Sequence, residues 1–222
     1  MSSTTTVMVL TDGRKACLER TLESLEAHLV GEISNRLIID DSMDPRYRDW
    51  LYDTYHDNGP YRVYSFDRKR GFAGAIQSGW DHCYAIGNDY IWHQEDDFVL
   101  LDDIVLPEMV AVLDATPRLA QLALLRQAWA PAEIEAGGVI QLHPHSYRQT
   151  AHYTLHRNFF TTNPSLYRIS LINLGWPQQE LSERRFTEMC LEQGLHFGFW
   201  QTGLDDAPKV NHIGVDRVGI GY

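Results

Sequence analysis

Glu95-Asp96-Asp97 sets three carboxylates side by side after the apolar run Tyr90-Ile-Trp92, and Asp40-Asp41 sets two more after Leu37-Ile-Ile39. Neighbouring carboxylates repel one another, so a protein tolerates them where a hard divalent cation or hydrogen-bond donors offset the charge. Mn2+ or Mg2+ would take one or two of these groups and keep coordination positions for phosphate oxygens. The bland alternative is an acidic, solvated loop after an edge strand. A third feature is Arg68-Lys-Arg-Gly-Phe-Ala-Gly-Ala75, a basic triplet followed by Gly71 and Gly74 where an apolar helical stretch begins. Helix N-terminal amides beside cations bind phosphate. The same residues read equally well as a turn with close helix–sheet packing.

Regular elements must bring these residues to one edge. Residues 6–11 form a short β-rich run, and after Asp12-Gly13 the leucines Leu18, Leu22, Leu25 and Leu29 recur at helical spacing. Residues 37–39 make a second strand, Pro45 opens an aromatic-rich helical stretch over 47–56, and residues 61–66 alternate as a third strand. A helix over 71–86 leads to a fourth strand at 89–92. Strands alternating with helices imply right-handed crossovers and a mostly parallel sheet, with ligands outside the carboxyl ends of the strands. Beyond residue 103 the pattern predicts a helix over 106–115, a strand over 120–125, and helices near 164–174 and 179–193. Residues 128–158, with Pro131, Gly137-Gly138, His143, His145, His152 and His156, read as a long excursion or β-hairpin insertion. The tail carries Asn211-His-Ile-Gly214 and ends Gly219-Ile-Gly-Tyr222.

Composition narrows the classes. The chain has 222 residues, 44% hydrophobic and 22% charged, which is ordinary for a globular domain and excludes collagen-like, coiled-coil and disordered classes. A net charge of −11 argues against bulk electrostatic gripping of nucleic acid or anionic membrane. Cys17, Cys83 and Cys190 are odd in number and widely spaced, which supports neither a disulfide framework nor a cysteine metal site, and points to a reducing cytoplasm. His143 and His145 lack a third convergent ligand for zinc. No run approaches a signal peptide or a membrane span, so no membrane partner is expected.

In their order along the chain, these features resemble the GT-A glycosyltransferases, especially the family 2 type. The matching segments are Thr6-Val-Met-Val-Leu-Thr-Asp-Gly-Arg14 with Leu18-Glu-Arg-Thr-Leu-Glu-Ser-Leu25, Ile38-Ile-Asp-Asp-Ser42, Arg70-Gly-Phe-Ala-Gly-Ala75 and Tyr90-Ile-Trp-His-Gln-Glu-Asp-Asp97. They cover residues 5–115 closely and 159–222 loosely. The resemblance implies one α/β domain over residues 1–222, with a GT-A, Rossmann-like, mostly parallel central sheet flanked by helices. Residues 1–103 would be the nucleotide-binding half, and 104–222 the acceptor and sugar half with the insertion 128–158.

The implied activity is metal-dependent transfer of a sugar from a UDP-sugar donor, by direct displacement with inversion. By position in the motifs, Asp41 would hydrogen-bond uracil with Asp40 in support, and Thr11, Asp12 and Arg14 would surround base and ribose. Arg70, Gly71 and Gly74 would approach the nucleotide. Asp97 matches the last carboxylate of the DxD motif and would bind Mn2+ or Mg2+, while Glu95 and Asp96 face ribose and sugar. His212 resembles the C-terminal histidine that many relatives lend to the metal. The base falls at Glu183, where the family's usual Glu-Asp pair reads Ser182-Glu183, and Glu180 and Glu188 are its rivals. Thr162, Asn163 and Trp176 would line the acceptor and sugar pocket. The acceptor stays open among a glycan, a protein and a hydroxymethylated DNA base. Two other functions fit the same features: a sugar-nucleotide pyrophosphorylase, whose glycine-rich loop should directly follow the first strand, and a binding module without catalysis.

Overall fold

The computed structural model describes residues 3–126, 144–200 and 206–214. Pro131, Gly137-Gly138, His143 and the 219–222 tail lie outside the described residues. The strands are β1 (Thr5–Thr11), β2 (Leu29–Val30), β3 (Asn35–Asp40), β4 (Arg62–Ser65), β5 (Tyr90–Glu95), β6 (Phe98–Leu100), β7 (Ile104–Val105), β8 (Leu119–Ala123), β9 (Tyr147–Gln149), β10 (Thr154–His156), β11 (Ser165–Arg168), β12 (His196–Phe199) and β13 (Val210–His212). The helices are α1 (Lys15–His28), α2 (Pro45–Leu51), α3 (Gly71–Ile86), α4 (Leu106–Ala115) and α5 (Ser182–Glu192).

A nine-stranded sheet runs in the order β4-β3-β1-β5-β11-β8-β12-β10-β9. The half built from β4, β3, β1 and β5 is parallel, as the alternation of strands and helices requires. The other half is mixed: β11 runs antiparallel to both β5 and β8, and β10 antiparallel to β12 and β9. The stretch 164–174, expected as a helix, is instead β11 followed by a 3-10 turn over Ile169–Leu174. Four residues carry too little periodicity to separate strand from helix, and burial of Leu166 and Tyr167 in mid-sheet decides it. In the 128–158 excursion, β9 and β10 form an antiparallel hairpin on the sheet edge, closed by Thr150 N donating to Tyr153 O at 2.9 Å.

Both faces of the sheet are covered, so β1 is buried at every position and its centre, Val7 to Leu10, is apolar without alternation. On β1, Val7 and Val9 join Leu18, Leu22 and Leu25 of α1 on one face, while Met8 and Leu10 join Ile76 and Trp80 of α3 on the other. Chain order around β1 reverses direction, with β3 on one side and β5 on the other. In open α/β sheets the ligand crevice lies at such a switch point, outside the carboxyl ends of the strands. Register sets its floor: Thr11 lies beside Asp40, and Leu10 beside Glu95. No helix among the described residues is long and apolar enough to cross a membrane.

Candidate functional site

The acidic triplet sits where β5 turns into β6. Gln94 Nε2 donates to Phe98 O at 2.7 Å across this turn, so Asp96 and Asp97 occupy its two corners with both carboxylates turned inward. Each is 1% exposed. Asp96 Oδ2 accepts from Thr11 Oγ1 at 2.7 Å and from Asp12 N at 3.3 Å, and Asp96 Oδ1 accepts from Arg14 Nη2. Asp97 Oδ2 accepts from Arg14 Nη1 and from His212 Nε2, the latter at 3.0 Å. Asp97 Oδ1 is buried with no hydrogen-bond partner.

His212 reaches this corner because β13 pairs antiparallel with β6, His212 opposite Phe98, and Ile213 N donates to Asp97 O at 2.8 Å. Its ring stacks on Phe98 with centroids 4.7 Å apart. Arg126 Nη1 lies 3.2 Å from His212 Nδ1, and a guanidinium only donates, so Nδ1 accepts and Nε2 carries the proton given to Asp97. Gly214 then passes so close that a Cβ there would collide with Asp97 Oδ2 and stand 2.5 Å from Arg14 Nη1. Any larger residue there has to displace the ends of the Asp97 and Arg14 side chains.

Burial and charge set the protonation of the corner. Burial pushes the Asp97 carboxyl up, but the His212 hydrogen bond and the Arg14 charge outweigh it and hold the group below the usual carboxylate range. Burial raises Asp96 to about 6 against the opposing charge of Arg14. Glu95, 9% exposed, is raised well above the carboxylate range by burial and then by the charge of Asp97.

The β3 end and the basic, glycine-rich segment form the next wall. Asp40 spends both oxygens locally, Oδ1 on Ser42 N and Oδ2 on Ser65 Oγ, each at 2.9 Å. Asp41 Oδ1 accepts from Arg70 N at 2.7 Å, and Lys69 Nζ donates to Asp41 O at 2.7 Å and pairs with Asp12. Gly71 opens α3 at φ +69°, a left-handed turn suited to glycine, and Gly74 lies one turn on.

Across the crevice, Glu183 stands in the first turn of α5 and accepts at Oε1 from Thr162 N at 2.8 Å and Thr162 Oγ1 at 2.9 Å. Burial raises its carboxyl above the ordinary range, against those two hydrogen bonds. The charges of both Asp97 and Glu183 act on Glu95. Asn163 is half-buried beside Thr162, its N donating to Thr161 Oγ1 at 3.2 Å. Trp176 lies elsewhere: 3% exposed, it stacks on Phe186 at 4.9 Å inside the aromatic core. Of the rivals for the base, Glu188 is exposed and pairs with Arg184, and Glu180 is exposed.

The structure thus gathers Thr11, Asp12, Arg14, Glu95, Asp96, Asp97 and His212 in one corner, with Asp41, Arg70 and Gly71 on one flank and Thr162 and Glu183 on the other. Sequence reasoning missed Tyr47, whose hydroxyl lies 2.6 Å from Thr11 Oγ1, and the contacts of Arg126 and Gly214. Their signals were an aromatic residue just after the helix-opening Pro45, a cation just after a strand, and a glycine two residues after a histidine.

No curated protein matches the chain in sequence. Solved structures share its fold. A structure of GalNAc-T7 with UDP, GalNAc and Mn2+ superposes with a TM-score of 0.70 at 14% identity, covering 95% of this chain and 44% of that one. TarS residues 1–349 from S. aureus give 0.62 at 13% identity over 94% and 60% of the two chains. The mannosyltransferase PcManGT from Pyrobaculum calidifontis, with GDP-Man and Mn2+, gives 0.62 at 13% identity over 94% and 56%. This chain therefore spans about half the length of these structures. The mixed α/β sheet and its flanking helices are the GT-A architecture. The model of glycosyl transferase family 2 matches residues 6–179, most of the chain, and the protein belongs to that family.

Proposed function

We propose that the chain transfers a sugar from a nucleotide-sugar donor, a UDP-sugar, to an acceptor hydroxyl in one displacement with inversion, assisted by Mn2+ or Mg2+. The observation that carries this reading is the pairing of an inward-turned acidic corner, Asp96, Asp97 and His212, with a separate half-buried carboxylate, Glu183, held by Thr162. The neighbours crystallised with UDP or GDP-Man and Mn2+ support it.

The corner fits a hard divalent ion. Asp97 Oδ1 is a buried, unpartnered acceptor, and an imidazole nitrogen lies 3.0 Å from the other oxygen. Two protein ligands are enough for Mn2+ or Mg2+, which fill their remaining positions with water and phosphate. Asp97 would hold the ion through Oδ1, and His212 would join it only once its ring proton moves from Nε2 to Nδ1 and Arg126 withdraws; when bound, the ion supplies positive charge against the departing diphosphate. Thr11, Asp12, Asp40 and Asp41 line the strand ends and orient base and ribose, while Arg70 N and the Gly71 turn approach the nucleotide. Glu183, kept short of solvent and raised by burial, takes the acceptor's proton at Oε1 or Oε2. Thr162 fixes that carboxylate through two hydrogen bonds. Residues 1–103 serve the nucleotide and 104–222 the acceptor, which is a glycan, a protein or a hydroxymethylated DNA base. Unpaired Cys17, Cys83 and Cys190 suit a reducing cytoplasm.

The test incubates the protein with a panel of nucleotide sugars and Mn2+ and records which nucleoside diphosphate is released. UDP release that disappears in a folded Asp97→Ala variant is expected. A fully active variant, or inactivity without binding across every donor, overturns the reading.

A further inference from the structure

The acidic corner already contains a cation. Arg14, in the turn between β1 and α1, spans the two carboxylates with different nitrogens, Nη2 on Asp96 Oδ1 and Nη1 on Asp97 Oδ2. The guanidinium is 20% exposed, and Asp96 and Asp97 hold it more firmly protonated than an ordinary arginine despite the opposing cost of burial. Asp97 Oδ2 is thereby committed twice, to Arg14 and to the Nε2 proton of His212.

The arrangement is incomplete in two places. Asp97 Oδ1 and Arg14 Nε are both buried with no hydrogen-bond partner, a cost that a settled structural ion pair does not carry. The fork uses two of the guanidinium's five N–H donors here and cannot turn to serve Oδ1 without leaving Asp96. A small hard cation resolves the first orphan by binding the carboxylate, and a released guanidinium resolves the second by reaching solvent.

We propose that Arg14 is a displaceable resident cation: it neutralises Asp96 and Asp97 in the metal-free protein, and a divalent ion binds Asp97 by driving it out. Guanidinium and ion compete for the same carboxylate and repel one another at contact distance, so occupancy by one excludes the other. Arg14 therefore sets the metal concentration at which the corner fills. This rests on the proposed function only in the identity of the ion.

The experiment titrates Mn2+ alone against the nucleotide-free protein and follows the loss of the free-ion signal by electron paramagnetic resonance. Arg14→Gln is expected to bind Mn2+ about tenfold tighter than the parent, or more. Arg14→Lys, which keeps the charge without the fork, falls between the two. Adding Asp97→Asn to Arg14→Gln removes the gain and ties it to this corner. Circular dichroism checks that each variant folds; if Arg14→Gln does not, Arg14→Lys against the parent, alone and with Asp97→Asn, carries the comparison. Mn2+ binding that is unchanged or weaker in a folded Arg14 variant overturns the proposal, as does a gain that survives Asp97→Asn. Donor turnover plays no part in this readout, so a protein inert to every nucleotide sugar would refute the proposed transfer and leave this result standing.

Discussion

Replacing Gly214 by alanine tests the corner without removing any of its charged groups. A Cβ at this position collides with Asp97 Oδ2, stands 2.8 Å from Asp97 Cγ and 2.5 Å from Arg14 Nη1. Either the Asp97 and Arg14 side-chain ends swing aside and break their pairing, or β13 lifts. Lifting it gives up the hydrogen bond from Ile213 N to Asp97 O at 2.8 Å and the one from His212 Nε2 to Asp97 at 3.0 Å. A neutral backbone bond contributes about 1 kcal/mol and one to a charged group about 2 kcal/mol, so the variant loses roughly 3 kcal/mol. Expressed as stability, that lowers the melting temperature by about 6–12 °C in a domain of this size. If β13 must be seated for transfer, the same energy lowers kcat/KM about 100-fold. Differential scanning calorimetry and nucleotide release measure the two effects side by side. A variant that melts with the parent and turns over within twofold of it would refute the claim that β13 seals this corner.

Two further expectations concern protonation. Because burial raises Glu183, the parent's kcat/KM should climb with pH along a limb lying above 4.5, the ordinary glutamate value. Glu183→Gln should erase that limb and lower kcat by roughly 10²- to 10⁴-fold while donor KM holds, and a limb that persists excludes Glu183 as the base. His93 is buried, with its imidazole lowered from 6.5 to about 3. The folded state then binds fewer protons than the unfolded one, so this contribution is complete above pH 6.5 and declines as pH falls toward 3. Between pH 6.5 and 5 the loss is about 2 kcal/mol, read as a falling urea midpoint, and His93→Leu should flatten that part of the slope.

How much of this was legible depended on whether a signal was local. Leu18, Leu22 and Leu25 announce α1 because one helix face meets one sheet face, and the carboxylates of Asp40 and Glu95 close β3 and β5 where the apolar runs stop. Trp176 packs with Phe160, Trp80 and Phe186, and an aromatic side chain looks alike in sequence whether it faces a ligand or such a cluster. β11 was missed because its strand character comes from β5 and β8, more than forty residues away in sequence. Asp41 stood out as acidic, but its engagement with Arg70 N depends on how the chain returns after β4. The Arg14 fork and the clearance at Gly214 are properties of side-chain directions that spacing along the chain does not encode.

The pairing of β6 with β13 also orders events during synthesis. Asp97 and His212 are separated by 115 residues, so at ribosomal rates of roughly 5–20 residues per second the carboxylate waits on the order of 10 s for its histidine. Throughout that interval the parallel half of the sheet has been made, yet the corner lies open on the side that Gly214 later covers. A nascent chain halted anywhere between residues 98 and 205 has its strand-end acids and Arg14 but lacks the last wall. Separately made pieces, divided between 200 and 206, should regain that wall only on reassociation, which makes the short tail segment a natural handle for fragment complementation.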